Sequence, residues 1–321
     1  MASKRLVFIP VSHKENYSMS ANLSFSNDRG YEIYLQNAIV ALKSVKDHNA
    51  DVDVALITNF PLDEFYANTL KKYGILHMLC PFTDYTMPPN FTWSLAFYKI
   101  ATVKYVVEQL DYDYYLQLES DELCIHSLDD MWGELDCKLL TVFSPFRHGH
   151  PNRGVYSKLY GKYVGGGNGC VIEKTGAGFI AGSRASLMHF VETCDKIYKY
   201  IMDNIDEQDT GLGDELYTSM YCALYPERVS RANPYVDIYW TGKFYFVSTN
   251  YQNDAVSIVH LPAEKAFGML RLYRYLCKHG HLPTAKKIYK IMNFPKTKPP
   301  FNLYKFTQRV KGVIDKRLGK R

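Results

Sequence analysis

Three carboxylates, those of Glu119, Asp121 and Glu122, directly follow an apolar, aromatic run at residues 112–118. Such a run predicts a buried strand, and an acidic cluster at its end can hold a divalent cation. Mg²⁺ and Mn²⁺ prefer oxygen ligands and commonly share them with the phosphates of a substrate. We therefore expect chemistry on a phosphorylated donor, with Asp121 as the first metal ligand and Glu119 as the second. A solvated strand end is the alternative, and Glu122 is expected to face solvent or to cap the following turn.

A second acidic pair, Asp214 and Glu215, follows Gly213 at the start of a predicted helix. A carboxylate at a helix N-terminus can accept the proton of an attacking hydroxyl, although the helix dipole lowers its pKa. Both residues are therefore candidate catalytic groups. Aspartate is also a common N-cap, so a purely structural role is the alternative for Asp214.

Strand and helix patterns alternate along the chain, which is typical of a parallel α/β sheet whose ligands bind beyond the carboxyl ends of the strands. The predicted strands cover residues 5–11, 53–58, 76–80, 114–118, 139–143, 176–181 and 257–260, with an aromatic β-ribbon at 235–247. The predicted helices cover residues 31–45, 62–73, 93–110, 184–205 and 214–224, and the chain after residue 265 is predicted to be helical. The glycine-rich residues 147–169 predict a mobile loop.

The order of several motifs resembles that of the GT-A-fold glycosyltransferases over residues 5–265. The acidic strand end resembles their Asp-x-Asp motif, except that Glu119 replaces the first Asp. Three further segments resemble motifs of the blood-group-type and glycogenin-like members: the small-residue strand around Ala177 and Gly178, the Gly213-Asp214-Glu215 triplet, and the pair His260 and Lys265.

The resemblance implies a Rossmann-like GT-A fold, with a mostly parallel central sheet flanked by helices. It implies a catalytic domain at residues 1–262, with a nucleotide-binding half at about 1–122 and an acceptor half at about 123–262. A basic helical extension would cover residues 263–321. The implied activity is sugar transfer from a nucleotide-diphosphate donor, with UDP favoured over GDP, to a glycan or a lipid-linked acceptor. Mn²⁺ or Mg²⁺ would be the cofactor, and retention of configuration is favoured.

The resemblance also implies roles for individual residues. Glu119 would reach either the metal or the ribose of the donor. His260 would be the third metal ligand and Lys265 the cation that meets the phosphates. In an inverting enzyme Asp214 or Glu215 would be the base, whereas in a retaining enzyme it would bind the acceptor or lie on the opposite face of the sugar. The remaining donor contacts would be backbone groups at Pro10, Val11 and His13, the Lys99 ammonium, and close approach of the sugar at Ala177 and Gly178.

Two other functions fit the same elements. A sugar-phosphate nucleotidyltransferase would carry a glycine-rich basic loop after the first strand, whereas residues 11–17 contain no glycine. A non-catalytic protein that binds glycans or nucleotides on this fold is the second alternative.

Charge is divided unevenly along the chain. Residues 263–321 hold 16 lysines and arginines against two acids, a net charge of +14, so the rest of the chain carries −9 of the overall +5. Helical spacing of Phe267, Leu270, Tyr273 and Leu276 or Cys277 predicts a basic amphipathic helix that contacts an anionic membrane surface or an anionic acceptor. Packing of this helix on the domain is the alternative, and no nucleic-acid-binding pattern is present.

Cysteine usage and hydropathy predict a cytoplasmic protein, peripheral on a membrane at most. The seven cysteines are scattered and include no C-x-x-C, as expected of reduced thiols. No stretch approaches the roughly 18–20 apolar residues of a membrane span. The short apolar segment near the N-terminus predicts a first strand rather than a signal peptide.

Overall fold

The computed structural model describes residues 3–15, 17, 30–135, 138–144, 151–166, 171–205, 211–239, 241, 256–292 and seven positions between 303 and 318. Within these residues the chain forms a seven-stranded sheet and a three-stranded sheet. The strands of the larger sheet are β1 (Arg5–Val11), β2 (Asp53–Thr58), β3 (Leu76–Leu79), β4 (Tyr114–Gln117), β6 (Leu139–Phe143), β7 (Thr175–Ser183) and β8 (Val229–Arg231). The smaller sheet contains β5 (Glu122–Cys124), β9 (Val236–Ile238) and β10 (Ile258–His260).

The large sheet has the order β3-β2-β1-β4-β7-β6-β8. Neighbouring strands from β3 to β4 run parallel, and β8 runs parallel to β6. Only β7 among these strands is antiparallel to its neighbours, β4 and β6. The prediction of a mostly parallel α/β sheet is therefore confirmed, and strands from both predicted halves of the catalytic domain share one sheet.

Helices cover both faces of this sheet. Because successive side chains of a strand point to opposite faces, Val7 and Ile9 enter one core whereas Leu6 and Phe8 enter the other. A strand buried on both faces is a nearly continuous apolar run, and β1 can therefore be predicted from the sequence. The helices are α1 (Gly30–His48), α2 (Glu64–Lys72), α3 (Tyr98–Gln109), α4 (Asp129–Trp132), α5 (Pro151–Tyr163), α6 (Arg184–Asn204), α7 (Glu215–Leu224), α8 (Gly268–His279) and α9 (Ala285–Ile291).

The prediction of a mobile loop over residues 147–169 is wrong where the structure describes it. Helix α5 occupies most of that range and buries Tyr156 and Leu159 in the second core. Glycines within the segment interrupt the apolar spacing by which a helix is predicted from sequence. Its C-terminus is closed at Gly165, whose φ of +70° suits glycine. The predicted aromatic ribbon at 235–247 is described only as β9, and most of its remainder lies outside the described residues.

The apolar face predicted for the first basic helix is confirmed at Tyr273 and Leu276 and is wrong at its start. In α8 the buried residues are Met269, Leu272, Tyr273 and Leu276, whereas Phe267 and Cys277 are exposed. These buried side chains belong to the same core as α1 and β1, so α8 is part of the packed α/β body. Its apolar face is therefore not available to a membrane.

Replacing Leu272 by alanine tests this packing. The side chain is fully buried, so its truncation leaves a cavity and should lower the free energy of unfolding by about 2–5 kcal/mol. Denaturant unfolding followed by circular dichroism measures the change. Arg271→Ala is the matched control, because Arg271 is exposed on the same helix and its loss should cost about 0.5 kcal/mol or less. Equal stability of the two variants would contradict the packing of α8.

Candidate active site

The acidic cluster lies in a tight turn at the carboxyl end of β4. The Leu118 amide donates to the Phe8 carbonyl at 3.0 Å, which extends the pairing with β1. The Glu122 amide then donates to the Glu119 carbonyl at 3.2 Å, and the chain reverses into β5. Asp121 is fully buried in this turn, and Glu119 is mostly buried. Parallel strands place this turn at the edge where ligands bind in α/β sheets.

Strand β10 brings His260 to the same turn. It pairs antiparallel with β5, with His260 opposite Glu122, and the Leu261 amide donates to the Asp121 carbonyl at 3.0 Å. The imidazole Nε2 lies 3.2 Å from Glu119 Oε2 and 3.3 Å from Asp121 Oδ2. Potential ligand atoms of these three residues all lie within 4.8 Å of one another. The structure therefore brings together the three side chains predicted as metal ligands.

Two lysines complete the cluster of charges. Lys265 forms an ion pair with Asp121, a residue 144 positions earlier, and its Nζ lies 3.9 Å from Glu119 Oε2. Lys99 Nζ lies 2.6 Å from Glu119 Oε1 and 2.7 Å from Asp214 Oδ2. Lys99 thus joins the acidic turn to the second acidic motif.

Neighbouring cations keep two acids of the turn, Glu119 and Asp121, ionised. Burial alone would raise the pKa of Glu119 and Asp121, but Lys99 beside Glu119 and Lys265 beside Asp121 outweigh it and hold both below their usual range. Burial also works against protonation of His260, yet the carboxylates, led by Asp121, raise the pKa of its imidazole to about 10. At neutral pH two carboxylates are therefore balanced by one imidazolium and the Lys265 ammonium.

The donor set fits a divalent cation. Asp121 Oδ1 is buried and has no hydrogen-bond donor among the described residues. A buried carboxylate oxygen left in this way is costly, and a cation would satisfy it. Two carboxylates suit Mg²⁺ or Mn²⁺, and the imidazole nitrogen favours Mn²⁺. Because metal ligands must be deprotonated, binding would require His260 to release its proton and Lys265 to leave Asp121.

The expectation for Glu122 is wrong. Its side chain is buried, and it neither faces solvent nor caps the following turn: Oε2 accepts a hydrogen bond from the Glu119 amide at 3.1 Å. Oε1 lies 3.5 Å from His260 Nδ1, on the opposite side of the ring from Nε2. Burial raises the pKa of Glu122 to about 8. The chain re-enters a sheet directly after the turn, so Glu122 points inward and lies beside the imidazole.

Asp214 does not act as a helix cap. It precedes α7 with helical backbone angles, and its side chain makes no capping hydrogen bond. The carboxylate instead meets Lys99, and burial raises its pKa to about 6 despite that cation. Glu215 Oε1 lies 3.1 Å from Lys174 Nζ and is the more exposed of the two acids. Asp214 can therefore exchange a proton near neutral pH.

Sequence comparison adds no family to this geometry, because no protein-family model and no curated protein matches the chain. The resemblance to GT-A glycosyltransferases rests on the order of motifs.

The predicted nucleotide contacts lie at the end of β1. Pro10 and Val11 pair with Ile57 and Thr58 of β2. Beyond the strand, the His13 amide donates to Asn59 Oδ1 and the Asn59 amide group donates to the His13 carbonyl, both at 2.8 Å. The chain is thus fixed where it leaves the sheet.

Two aromatic residues near His13 were not among the predicted contacts. The ring of Tyr31 lies 4.9 Å from that of His13, and the ring of Phe60 lies 5.4 Å from that of Tyr31. The first pair is tilted by 38° and the second meets edge to face at 71°, and an aromatic face in such a group can hold a planar base. In the sequence, the Asn-Phe-Pro triplet that follows β2 is the feature from which an aromatic contact here could have been predicted.

Strand β7 passes directly beside the acidic turn. A Cβ at Gly178 would lie 3.0 Å from Glu119 Cγ and Cδ, so glycine here makes room for a metal-ligand side chain. The Gly178 carbonyl accepts a hydrogen bond from Gln117 Nε2 at 3.2 Å. The neighbouring Ala177 contributes backbone to the same strand. The role predicted for these two residues, close approach of a sugar, stays a prediction.

Buried polar residues of α1 form hydrogen bonds with the segments that carry the site. Asn37 Nδ2 donates to the Lys265 carbonyl at 3.0 Å, and Ser44 Oγ accepts from the Cys124 amide at 2.9 Å. One helix thus fixes both the lysine and strand β5. In the sequence, a polar residue within an apolar helical stripe indicates a buried side chain that needs a hydrogen-bond partner.

Replacing Lys99 by methionine should destabilise the protein. The change leaves Glu119 and Asp214 without the cation between them, and we expect a loss on the order of 2–3 kcal/mol in the free energy of unfolding. A double variant with Asp214→Asn should recover part of this loss, because it removes one of the stranded charges. Denaturant unfolding at pH 7 measures both.

Lys104→Met is the matched control on the same helix. Lys104 pairs with Asp84 and Asp195, whose side chains are about half exposed, so its loss should cost about 1 kcal/mol or less. If Lys99→Met is no more destabilising than this control, the Lys99 bridge does not contribute to stability as described.

Proposed function

We propose that the chain is a metal-dependent glycosyltransferase of GT-A architecture. It would transfer a sugar from a nucleotide-diphosphate donor, with UDP favoured, to a glycan or lipid-linked acceptor. The observation that carries the proposal is the meeting of Glu119, Asp121, His260 and Lys265 at the carboxyl end of β4. The five cysteines that the structure describes are free thiols, in keeping with the cytoplasmic location that we include in the proposal.

The turn and β10 would hold Mn²⁺ or Mg²⁺ through Glu119, Asp121 and His260. Bound there, the metal would supply positive charge that stabilises the leaving diphosphate. Glu122 would attract the imidazole Nδ1 and so favour the ring position with Nε2 towards the other acids, and Lys265 is the ammonium that would turn from Asp121 to a phosphate.

Asp214 is the proposed group for the acceptor side. Its carboxylate is buried, and Lys99 holds it beside the acidic turn. With a pKa of about 6 it is mostly ionised at neutral pH and can accept a hydrogen bond, or a proton, from an attacking hydroxyl. Glu215 lies next to it and is paired with Lys174, which suits it to contacts with the acceptor. The motif order favours retention of configuration. In a retaining enzyme, Asp214 and Glu215 would bind and orient the acceptor.

The nucleotide would lie against the end of β1. Backbone groups at Pro10 and Val11, and the His13 carbonyl, which can accept a second hydrogen bond beside that from Asn59, would contact the nucleotide there. The rings of Tyr31 and Phe60 would offer flat apolar faces. Stacking of a base on such rings is tolerant of base identity. Selection of UDP would therefore come from backbone hydrogen bonds.

Asp121→Asn tests the proposal. We expect the unaltered protein to bind UDP in the presence of Mn²⁺ and to release UDP slowly from a UDP-sugar. The variant should bind UDP with Mn²⁺ about 100-fold more weakly, since it loses a charged metal ligand. Isothermal titration calorimetry and a donor-hydrolysis assay over UDP- and GDP-sugars give the two measurements.

Asp130→Asn is the matched control, because Asp130 is exposed and lies outside the site. Donor binding without hydrolysis or transfer would favour the non-catalytic alternative. Formation of a nucleotide-sugar from a nucleoside triphosphate and a sugar phosphate would favour the nucleotidyltransferase. The proposal fails if no nucleoside diphosphate binds.

Lys265→Met should change metal and nucleotide binding in opposite directions. Without the ammonium that occupies Asp121, Mn²⁺ alone should bind about tenfold more tightly, because the turn gains a net negative charge. UDP with saturating Mn²⁺ should bind more weakly, because a phosphate contact is lost. Titration of Mn²⁺ followed by electron paramagnetic resonance measures the first effect. Lys71→Met, at an exposed position, is the control, and unchanged Mn²⁺ affinity in Lys265→Met would contradict the competition for Asp121.

A further inference from the structure

Exposed apolar side chains recur at helical spacing near the C-terminus. The described positions 303, 306, 307, 310, 314 and 317 are helical, and the Leu318 amide donates to the Ile314 carbonyl at 2.9 Å, as in an α-helix. Large apolar side chains at five of these described positions are 41–65 % exposed: Leu303, Phe306, Val310, Ile314 and Leu318. None of the described helices is both long and apolar enough to cross a membrane.

These five side chains form one stripe. Their separations are three, four, four and four residues, so at 3.6 residues per turn they fall within an arc of about 120°. A continuous apolar stripe of this kind favours a partner that removes it from water. Unlike α8, whose apolar face is in the core, this stripe is exposed in the folded chain.

The same stretch is strongly basic. Residues 303–321 carry seven lysines and arginines against one acid, Asp315. An apolar stripe with an excess of positive charge matches a surface that offers both hydrocarbon and negative charge. Anionic phospholipid headgroups above acyl chains provide this combination.

We infer that the basic C-terminal segment binds an anionic membrane surface through the apolar stripe of Leu303, Phe306, Val310, Ile314 and Leu318. A coiled coil with a second copy is disfavoured, because the apolar separations average above the 3.5 residues that keep a two-helix seam aligned. Two such helices would also bring like charges together. The proposal is independent of the catalytic one, although a membrane location would suit a lipid-linked acceptor.

Vesicle co-sedimentation of the full chain tests this inference. We expect the protein to pellet with vesicles that mix phosphatidylcholine and phosphatidylglycerol, and to remain in the supernatant with phosphatidylcholine alone. Added salt should weaken binding, because part of the attraction is electrostatic. The double variant V310S/I314S should partition about tenfold more weakly, since it removes aliphatic side chains from the centre of the stripe.

Phe65→Ser is the matched control. Phe65 on α2 is also an exposed apolar residue, at 61 %, but lies outside the basic segment, so its replacement should leave vesicle binding unchanged. Thermal unfolding should be the same for all variants, because every altered side chain is exposed. The inference is overturned if the unaltered chain does not pellet with anionic vesicles, or if V310S/I314S binds as well as it does. It is also overturned if sedimentation velocity shows an oligomer that V310S/I314S dissociates while no variant binds lipid.

Discussion

Compensation of buried charge is the constraint on which this structure depends. Asp121 is fully buried, and an isolated ionised carboxylate in such a place would cost far more than the net stability of a typical domain. The protein meets the cost with Lys265 and His260 on one side and with Lys99 on the other side of Glu119. The main-chain paths of β4, β5, β10 and α3 therefore have to converge, and the sheet topology makes that convergence possible.

The same compensation gives the site its chemical character. Its internal ion pairs leave it close to neutral, so any incoming cation competes with groups that the protein already holds. Lys265 and the proton on His260 are the two charges that can leave. A site built in this way responds to a ligand that brings positive and negative charge together, as a metal-bound diphosphate does.

Sequence predicts the parts of this structure whose signals are local. Strands β1 and β2 can be predicted because both of their faces are buried and their residues 6–11 and 54–57 are apolar. Asp121, Asp214 and His260 were identifiable by type and motif order, but their mutual distances depend on pairing between distant strands. Glu122 was misjudged because burial of its carboxylate follows from the β5–β10 ladder, which has no local signature.

Two further errors have equally physical causes. The helix at residues 151–163 was hidden because glycines interrupt its apolar spacing, and tertiary packing of Tyr156 overrides that weakness. In α8 the apolar residues outnumber the buried positions, so periodicity alone could not choose between neighbouring faces. The helix start at Gly268 and the contact with α1 decide which face turns inward.

The pairing of β5 with β10 also governs when the site can form during folding. Asp121 and Lys265 are separated by 144 positions, and closing so long a loop is entropically costly and slow. Until β10 arrives, Asp121 must remain hydrated, since its cationic partners, His260 and Lys265, come from later in the chain. Closure of the small sheet therefore buries Asp121 and supplies two of the cations beside it, His260 and Lys265, in one step. During synthesis of the chain, the acidic turn would stay open and hydrated. Formation of the site would therefore indicate that the α/β body is complete.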